Sequence, residues 1–165
     1  WTVLAAWVED FPRRYVVDLV RQRMEAPEIL DAIEKMARSW DVDEVEVEAV
    51  QGQLYICQLL RRRGIRVKEI RPDRDKRARY MAASVEWERG HVFFPRQAAW
   101  LEGLEEELLS VPAARNDDQA DAMAMGVLDS SGSLGPPPEV RGSSLDLPPP
   151  SLPTGLGLRV PPGLL

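Results

Sequence analysis

The sequence predicts an α/β fold in which helices cover a mixed β-sheet. Two extended runs open the chain and are separated by a short turn-like segment, which is typical of an antiparallel hairpin. Further along, short strand-like runs alternate with helical runs, a pattern that favours a layered α/β structure. These patterns stop near residue 129, so we expect one folded domain over residues 1–129.

Residue type and spacing justify the elements of the first half of the chain. Residues 1–8 and 15–20 are rich in β-branched and aromatic residues, which predicts the two strands of the hairpin. Pro27, which the first turn of a helix tolerates, precedes apolar residues at helical spacing as far as Trp40. Residues 45–50 alternate Val with Glu before the run ends, so they predict a strand with period two.

The second half continues the alternation of helices and strands. Gly64 and Gly90 interrupt the chain after helical runs, where glycine commonly ends a helix. The expected elements are helices over residues 53–63 and 75–89, strands over 65–70 and 91–95, and two final helices over 100–110 and 116–128.

The C-terminal segment differs in composition from the rest. From Ser130 onward Gly, Ser, Pro and Leu predominate, with three consecutive prolines at residues 136–138 and again at 148–150. A segment of this composition lacks the residues that fill a core. We therefore expect residues 130–165 to be a disordered Pro/Gly/Ser-rich tail.

Charge is distributed unevenly along the chain. The formal net charge of −6 over 165 residues argues against a protein that coats DNA uniformly. Basic residues crowd between Arg61 and Arg79, and acidic residues between Glu102 and Asp121. This asymmetry suits a basic DNA track beside an acidic metal pocket, although two solvated helix faces would give the same pattern.

The cysteine content and the length of the apolar runs bear on disulfide bonds and on the cellular compartment. Cys57 is the sole cysteine and lies in an apolar run, so we expect a buried thiol and no disulfide within the chain. The apolar runs are too short for a membrane span, and the start lacks the pattern of a signal peptide. The default expectation is a cytoplasmic protein.

Three carboxylates gather at the predicted start of the last helix, at Asp117, Asp118 and Asp121. The helix dipole and N-terminal capping explain one or two of them. Asp118 and Asp121 are three residues apart, so they share one side of the helix, where their charges would repel unless a cation or solvent lay between them. A divalent-metal site is the functional interpretation.

Glu48 is the second candidate, because it lies at the end of a predicted internal strand, where α/β sheets commonly place their sites. Glu44 and Glu46 share its face by strand parity, so parity alone does not choose among them, and a solvated strand face is the alternative. A Mg²⁺ site would join Glu48 to Asp117 and Asp118. Such carboxylate clusters support two-metal phosphodiester cleavage.

The run from Trp1 to about Leu128 resembles, in order and spacing, the C-terminal nuclease domain of phage large terminases. The resemblance includes the hairpin, the helix that Pro27 begins, and five segments: residues 47–52, 71–79, 90–95, 100–108 and 116–122. The last reads Asn-Asp-Asp-Gln-Ala-Asp-Ala, where the family usually has His-Asp-Asp-Gln-Val-Asp-Ala. This closing motif is the most specific of the five, and together with the Asp-Lys-x-x-Arg and Gly-x-Val-x-x-Pro segments it makes chance resemblance improbable.

The resemblance implies a ribonuclease H-like fold and an endonuclease that cuts concatemeric double-stranded viral DNA with two Mg²⁺ or Mn²⁺ ions. It implies partners that include the terminase ATPase domain, the small terminase and the capsid portal, and a place in the host cytoplasm. By position, the implied catalytic and metal-binding residues are Glu48, Asp117 and Asp118, with Asp121 as a supporting metal ligand. The residues implied to face the DNA backbone are Lys76, Arg77 and Arg79, for which a solvated helix face is the alternative.

The chain departs from the family pattern in three places. The pattern begins with an Asp on a strand just before the segment that matches Trp1, so we expect the first strand to be missing and metal binding and cleavage to be impaired. The sequence has no Walker-type phosphate loop, so the ATPase motor is not part of it. Asn116 replaces the usual His, which removes a possible ligand but preserves a capping side chain.

Two other functions fit the same residues. A truncated prophage remnant, or a packaging module that binds DNA or the portal without cutting, would need no complete metal site. A resolvase-like or transposase-like nuclease would share the fold, because acidic clusters recur across that superfamily. Residues 75–79 and 90–95 favour the terminase.

Overall fold

Six strands form one mixed sheet in the part of the chain that the structure describes. The computed structural model describes residues 1–48, 53–71, 75–111, 116–129 and 156–160. The strands are β1 (Thr2–Asp10), β2 (Arg13–Gln22), β3 (Glu44–Glu48), β4 (Val67–Ile70), β5 (Val92–Phe93) and β6 (Leu156–Val160). The helices are α1 (Ala26–Ser39), α2 (Gln53–Arg62), α3 (Lys76–Glu88), α4 (Leu101–Ser110) and α5 (Asp118–Asp129).

The sheet combines an antiparallel hairpin with parallel strands. Its order is β4-β3-β6-β1-β2-β5. β1 pairs antiparallel with both β2 and β6, whereas β3 runs parallel to β4 and β6, and β5 runs parallel to β2. The mixed α/β architecture that the sequence predicts is therefore confirmed.

Alternation along β1 divides the core into two clusters, one on each face of the sheet. Leu4 and Ala6 face one cluster, which α1, α2, β3 and β4 complete. Val3, Ala5 and Trp7 face the other, which includes residues of α3, α4 and α5. Because successive strand residues point to opposite faces, both sides of β1 are buried and the sheet lies between two helical layers.

Local chemistry sets where the helices begin. The Glu28 carboxylate accepts a hydrogen bond from the Glu25 backbone N–H at 2.7 Å, and Pro27 lies in the first turn of α1. α1 buries Ile29, Leu30, Ile33 and Met36, at the helical spacing that the sequence predicts. Asp75 caps α3 by accepting from the Ala78 N–H at 3.1 Å.

Leu156–Val160 lie within the segment that the sequence predicts to be a disordered tail, and they form β6. They pair on one side with β1 and on the other with β3. A short strand between two other strands needs backbone hydrogen bonds and not a core of its own. The rest of the predicted tail, residues 130–155 and 161–165, lies outside the described residues.

Several smaller predictions can also be compared with the structure. Cys57 is a fully buried free thiol, as expected. Residues 49–52, which include the end of the strand predicted over 45–50, and residues 72–74 lie outside the described residues. Within the described ranges no helix combines the length and apolar character that a membrane crossing requires.

Candidate functional site

Glu48, the last residue of β3, is a buried carboxylate in a polar environment. Its side chain is 2% exposed, and its Oε2 atom has no hydrogen-bond partner among the described residues. Burial raises the pKa of Glu48 from 4.5 to about 7, against the opposing effect of the nearby Arg79 and with a further contribution from Asp121. A buried acceptor without a partner is unusual in a packed protein, so Glu48 marks this strand end as a candidate site.

Two helices on the same side of the sheet bring further charged groups to Glu48. Lys76 Nζ, in the first turn of α3, lies 2.6 Å from Asp117 Oδ2 and 2.7 Å from Asp121 Oδ2. Arg79 Nη2 donates to Asp121 Oδ1 at 2.9 Å. The site therefore joins the end of β3, the start of α3 and the start of α5, and it alternates carboxylates with cations.

The charges of this cluster stabilise one another. Burial alone would lower the pKa of Lys76, but the hydrogen bonds to Asp117 and Asp121 outweigh it and raise the pKa above its ordinary value. Burial and the same two carboxylates raise the pKa of Tyr80, whose ring lies 5.9 Å from Lys76 Nζ. Lys76 is therefore held in its charged form and Tyr80 in its neutral form.

Contacts from α4 and β1 fix the start and rotation of α5. The Glu107 carboxylate accepts from the backbone N–H groups of Gln119 at 2.6 Å and Ala120 at 3.0 Å, so a residue of α4 caps the N-terminus of α5. Further along α5, Gly126 lies directly on Trp7, since an added Cβ would approach Trp7 Cζ2 to 2.3 Å. These two contacts determine which side of α5 faces Glu48.

The structure brings together some of the predicted site residues and separates others. Glu48, Asp117 and Asp121 belong to one cluster. Asp118 lies apart from them, with its Oδ2 atom 3.8 Å from Arg21 Nη2 on β2. The sequence paired Asp118 with Asp121, but here Asp117 and Asp121 share a cation; the role of Asp118 as a ligand stays a prediction.

The three predicted DNA-facing residues of α3 do not share one outward face. Arg77 is exposed, whereas Lys76 and Arg79 turn toward the carboxylates of α5. The expectation that Lys76, Arg77 and Arg79 face the DNA backbone stays a prediction. Partly buried carboxylates attract the cations within reach, which explains the orientation of Lys76 and Arg79.

Glu107 and Arg21 are residues of this region that the sequence prediction missed. Both oxygens of Glu107 accept hydrogen bonds, and Arg21 Nη2 lies 3.7 Å from Glu107 Oε2. One signal was present for Glu107: it lies three residues after Leu104 and is therefore an acid on the apolar face of α4. No sequence signal singled out Arg21 among the basic residues.

The donor set suits a hard divalent cation in its chemistry. Carboxylate oxygens from separate elements are the ligands that Mg²⁺ and Mn²⁺ prefer, and Glu48 Oε2 is an acceptor without a partner. Among the described residues, however, no three His, Cys, Asp or Glu side chains form a ready-made metal-binding group. Lys76 and Arg79 instead neutralise Asp117 and Asp121.

Fold and site together define an α/β domain with a mixed sheet and an acidic cluster at the end of an internal strand. A family model described as terminase RNaseH-like domain matches residues 1–129, and the chain belongs to this family. The terminase resemblance and the ribonuclease H-like fold class are thereby confirmed, and the chain has a nuclease-type role in phage DNA packaging. No curated protein and no solved structure shows significant similarity to the chain.

Proposed function

We propose that this domain is the metal-dependent endonuclease of a phage packaging terminase and that it cuts concatemeric double-stranded DNA. The observation that carries the proposal is the unpaired, buried Glu48 Oε2 beside the carboxylates of α5, in a terminase RNase H-like domain. An acceptor in this position gains a partner when a cation binds, which offsets the desolvation of its charge.

Glu48, Asp117 and Asp121 are the residues that would hold Mg²⁺ or Mn²⁺. Such ions activate the attacking water and stabilise the leaving oxygen of a phosphodiester. Glu107 contributes indirectly, because it caps α5 and so positions Asp117 and Asp121. The expected pair of ions needs ligands beyond these three, and Asp118 is the further ligand that the sequence predicts.

Arg77 is the residue of α3 that is best placed to meet the DNA backbone. It is exposed, and it lies one residue from Lys76 of the acidic cluster. A cation in this position would contact phosphate and not base edges, which suits cutting with little sequence preference. The ATPase domain, the small terminase and the portal are the proposed protein partners, and the host cytoplasm is the proposed compartment.

The test is Mn²⁺-dependent nicking of supercoiled plasmid. It is run with this chain and with a form extended upstream by the strand that the family pattern places before Trp1. The variants are Asp121→Asn, Asp118→Asn and, as a matched control, Asp31→Asn, which removes an exposed carboxylate of α1 that pairs with Arg63. We expect Asp121→Asn to abolish nicking and Asp31→Asn to preserve it, and loss in Asp118→Asn would assign that residue as well.

A non-cutting module that binds DNA or the portal is the second candidate. It is favoured by the absence of a ready-made metal-binding group among the described residues. If both forms of the protein bind no Mn²⁺ and leave the plasmid intact, the nuclease proposal fails. DNA binding without cutting would then support the module.

A further inference from the structure

Lys76 occupies the position between the two carboxylates at the start of α5. Its ammonium group contacts Asp117 Oδ2 at 2.6 Å and Asp121 Oδ2 at 2.7 Å. Arg79 takes the other oxygen of Asp121, Oδ1, at 2.9 Å. Both oxygens of Asp121 and one of Asp117 are therefore engaged by cationic side chains.

The four charged groups that make these contacts balance one another, with Glu48 not counted among them. Lys76 and Arg79 carry two positive charges, and Asp117 and Asp121 carry two negative charges. A divalent cation that bound the same oxygens would add two positive charges next to the two that are already there. Solvent screens the resulting repulsion poorly, because the site is partly buried. Binding is therefore favoured if one of the side-chain cations leaves.

Lys76 is better able to leave than Arg79. The Lys76 side chain is 41% exposed, whereas that of Arg79 is 11% exposed. A lysine has a flexible four-carbon stem and a compact ammonium group, so it can turn into solvent with little rearrangement of the helix. The oxygens that Lys76 would release belong to the two α5 carboxylates proposed as metal ligands.

We infer that Lys76 is an internal counter-cation, which holds Asp117 and Asp121 together until a divalent ion takes over their Oδ2 atoms. The inference rests on the proposed metal-dependent function. It concerns what stabilises the two carboxylates before a metal ion binds. The ammonium group and the ion compete for the same two atoms. Removing the group should therefore strengthen ion binding and weaken the metal-free fold.

The test is calorimetric titration of the DNA-free protein with MnCl₂. The variants are Lys76→Met and, as a matched control, Lys35→Met, which makes the same substitution at an exposed side chain of α1. We expect Lys76→Met to bind Mn²⁺ on the order of tenfold more tightly than the wild type, and Lys35→Met to change the affinity by less than about threefold. The control separates the specific contact from a general loss of charge.

Thermal unfolding supplies a second measurement on the same proteins. In EDTA, Lys76→Met should unfold at a lower temperature than the wild type, because Asp117 and Asp121 then repel each other without a shared cation. Saturating Mn²⁺ should raise its unfolding temperature by more than that of the wild type. Circular dichroism establishes that the variant is folded.

The outcomes separate this inference from the proposed function. If the wild type binds Mn²⁺ and a folded Lys76→Met binds it equally or more weakly, the counter-cation role is overturned and the metal site survives. If no protein in the series binds Mn²⁺, the metal-dependent function is overturned, and the inference with it.

Discussion

The buried carboxyl group of Glu48 should make the metal-free fold lose stability as the pH rises. The side chain is 2% exposed, and burial raises its pKa from the ordinary 4.5 to about 7. Between these two values the folded state keeps the proton that the unfolded state releases. The free energy of unfolding therefore falls as the pH rises from about 4.5 to about 7, and it levels off above the folded-state pKa.

The size of the effect follows from the difference between the two pKa values. A rise from 4.5 to about 7 corresponds to about 3 kcal/mol in total, of which about 2.5 kcal/mol is lost between pH 5 and pH 8. The variant Glu48→Gln has nearly the same shape and no proton to release. Relative to the wild type, it should gain about 2.5 kcal/mol of stability on going from pH 5 to pH 8.

Urea denaturation in EDTA, followed by tryptophan fluorescence at both pH values, measures this difference directly. Titrating groups that do not interact with Glu48 are common to both proteins and cancel in the comparison. Glu44→Gln, which removes a carboxyl group from the more exposed start of β3, is the matched control. A difference between Glu48→Gln and the wild type that does not vary with pH would refute the reasoning.

Three further predictions concern the supports of the site and its DNA contact. Gly126→Ala should lower the free energy of unfolding by about 1–3 kcal/mol, because its Cβ meets the Trp7 ring. Gly103→Ala has open space around its Cβ and should stabilise α4 by up to about 1 kcal/mol. Thermal unfolding measures both, and equal shifts of the unfolding temperature would contradict the packing argument. Glu107→Gln should lower the free energy of unfolding by about 1–3 kcal/mol and weaken Mn²⁺ binding, because the cap of α5 loses an acceptor. An unchanged free energy of unfolding in urea would contradict this role of Glu107. Arg77→Ala should weaken DNA binding equally for all sequences. It should also reduce, by about 1, the slope of the logarithm of the DNA-binding constant against the logarithm of the salt concentration. An unaltered slope in a filter-binding series would exclude a phosphate contact.

The fold was predictable wherever apolar residues recur at a clear period. Period-two alternation in residues 45–50 and helical spacing after Pro27 predicted β3 and α1, because each element buries one face against the sheet. β6 could not be predicted in the same way. Its five residues lie in a Pro/Gly-rich segment, and their place in the sheet depends on pairing with β1 and β3, which are distant in sequence.

The composition of the candidate site was predictable, but its arrangement was not. The carboxylates at the start of α5 follow from a local pattern, and their types and positions are as the sequence indicates. Which of them face Glu48 depends on the rotation of α5, and that rotation depends on Trp7 and Glu107, from β1 and α4. A single sequence contains these contacts only as isolated residues, so helical spacing placed Asp118 beside Asp121 but did not indicate that Asp117 and Asp121 share Lys76.

The position of Glu48 itself argues for a ligand. Glu44 and Glu46, which share its face of β3 by strand parity, are only half-buried, whereas Glu48 is 2% exposed. A side chain selected for stability alone at the end of this strand would be apolar, or would have partners for both of its oxygens. Glu48 has neither property, and its ionised form costs the fold about 3 kcal/mol above pH 7. A bound cation would turn this unfavourable carboxylate into a favourable one, and local violations of packing rules of this kind concentrate at functional sites.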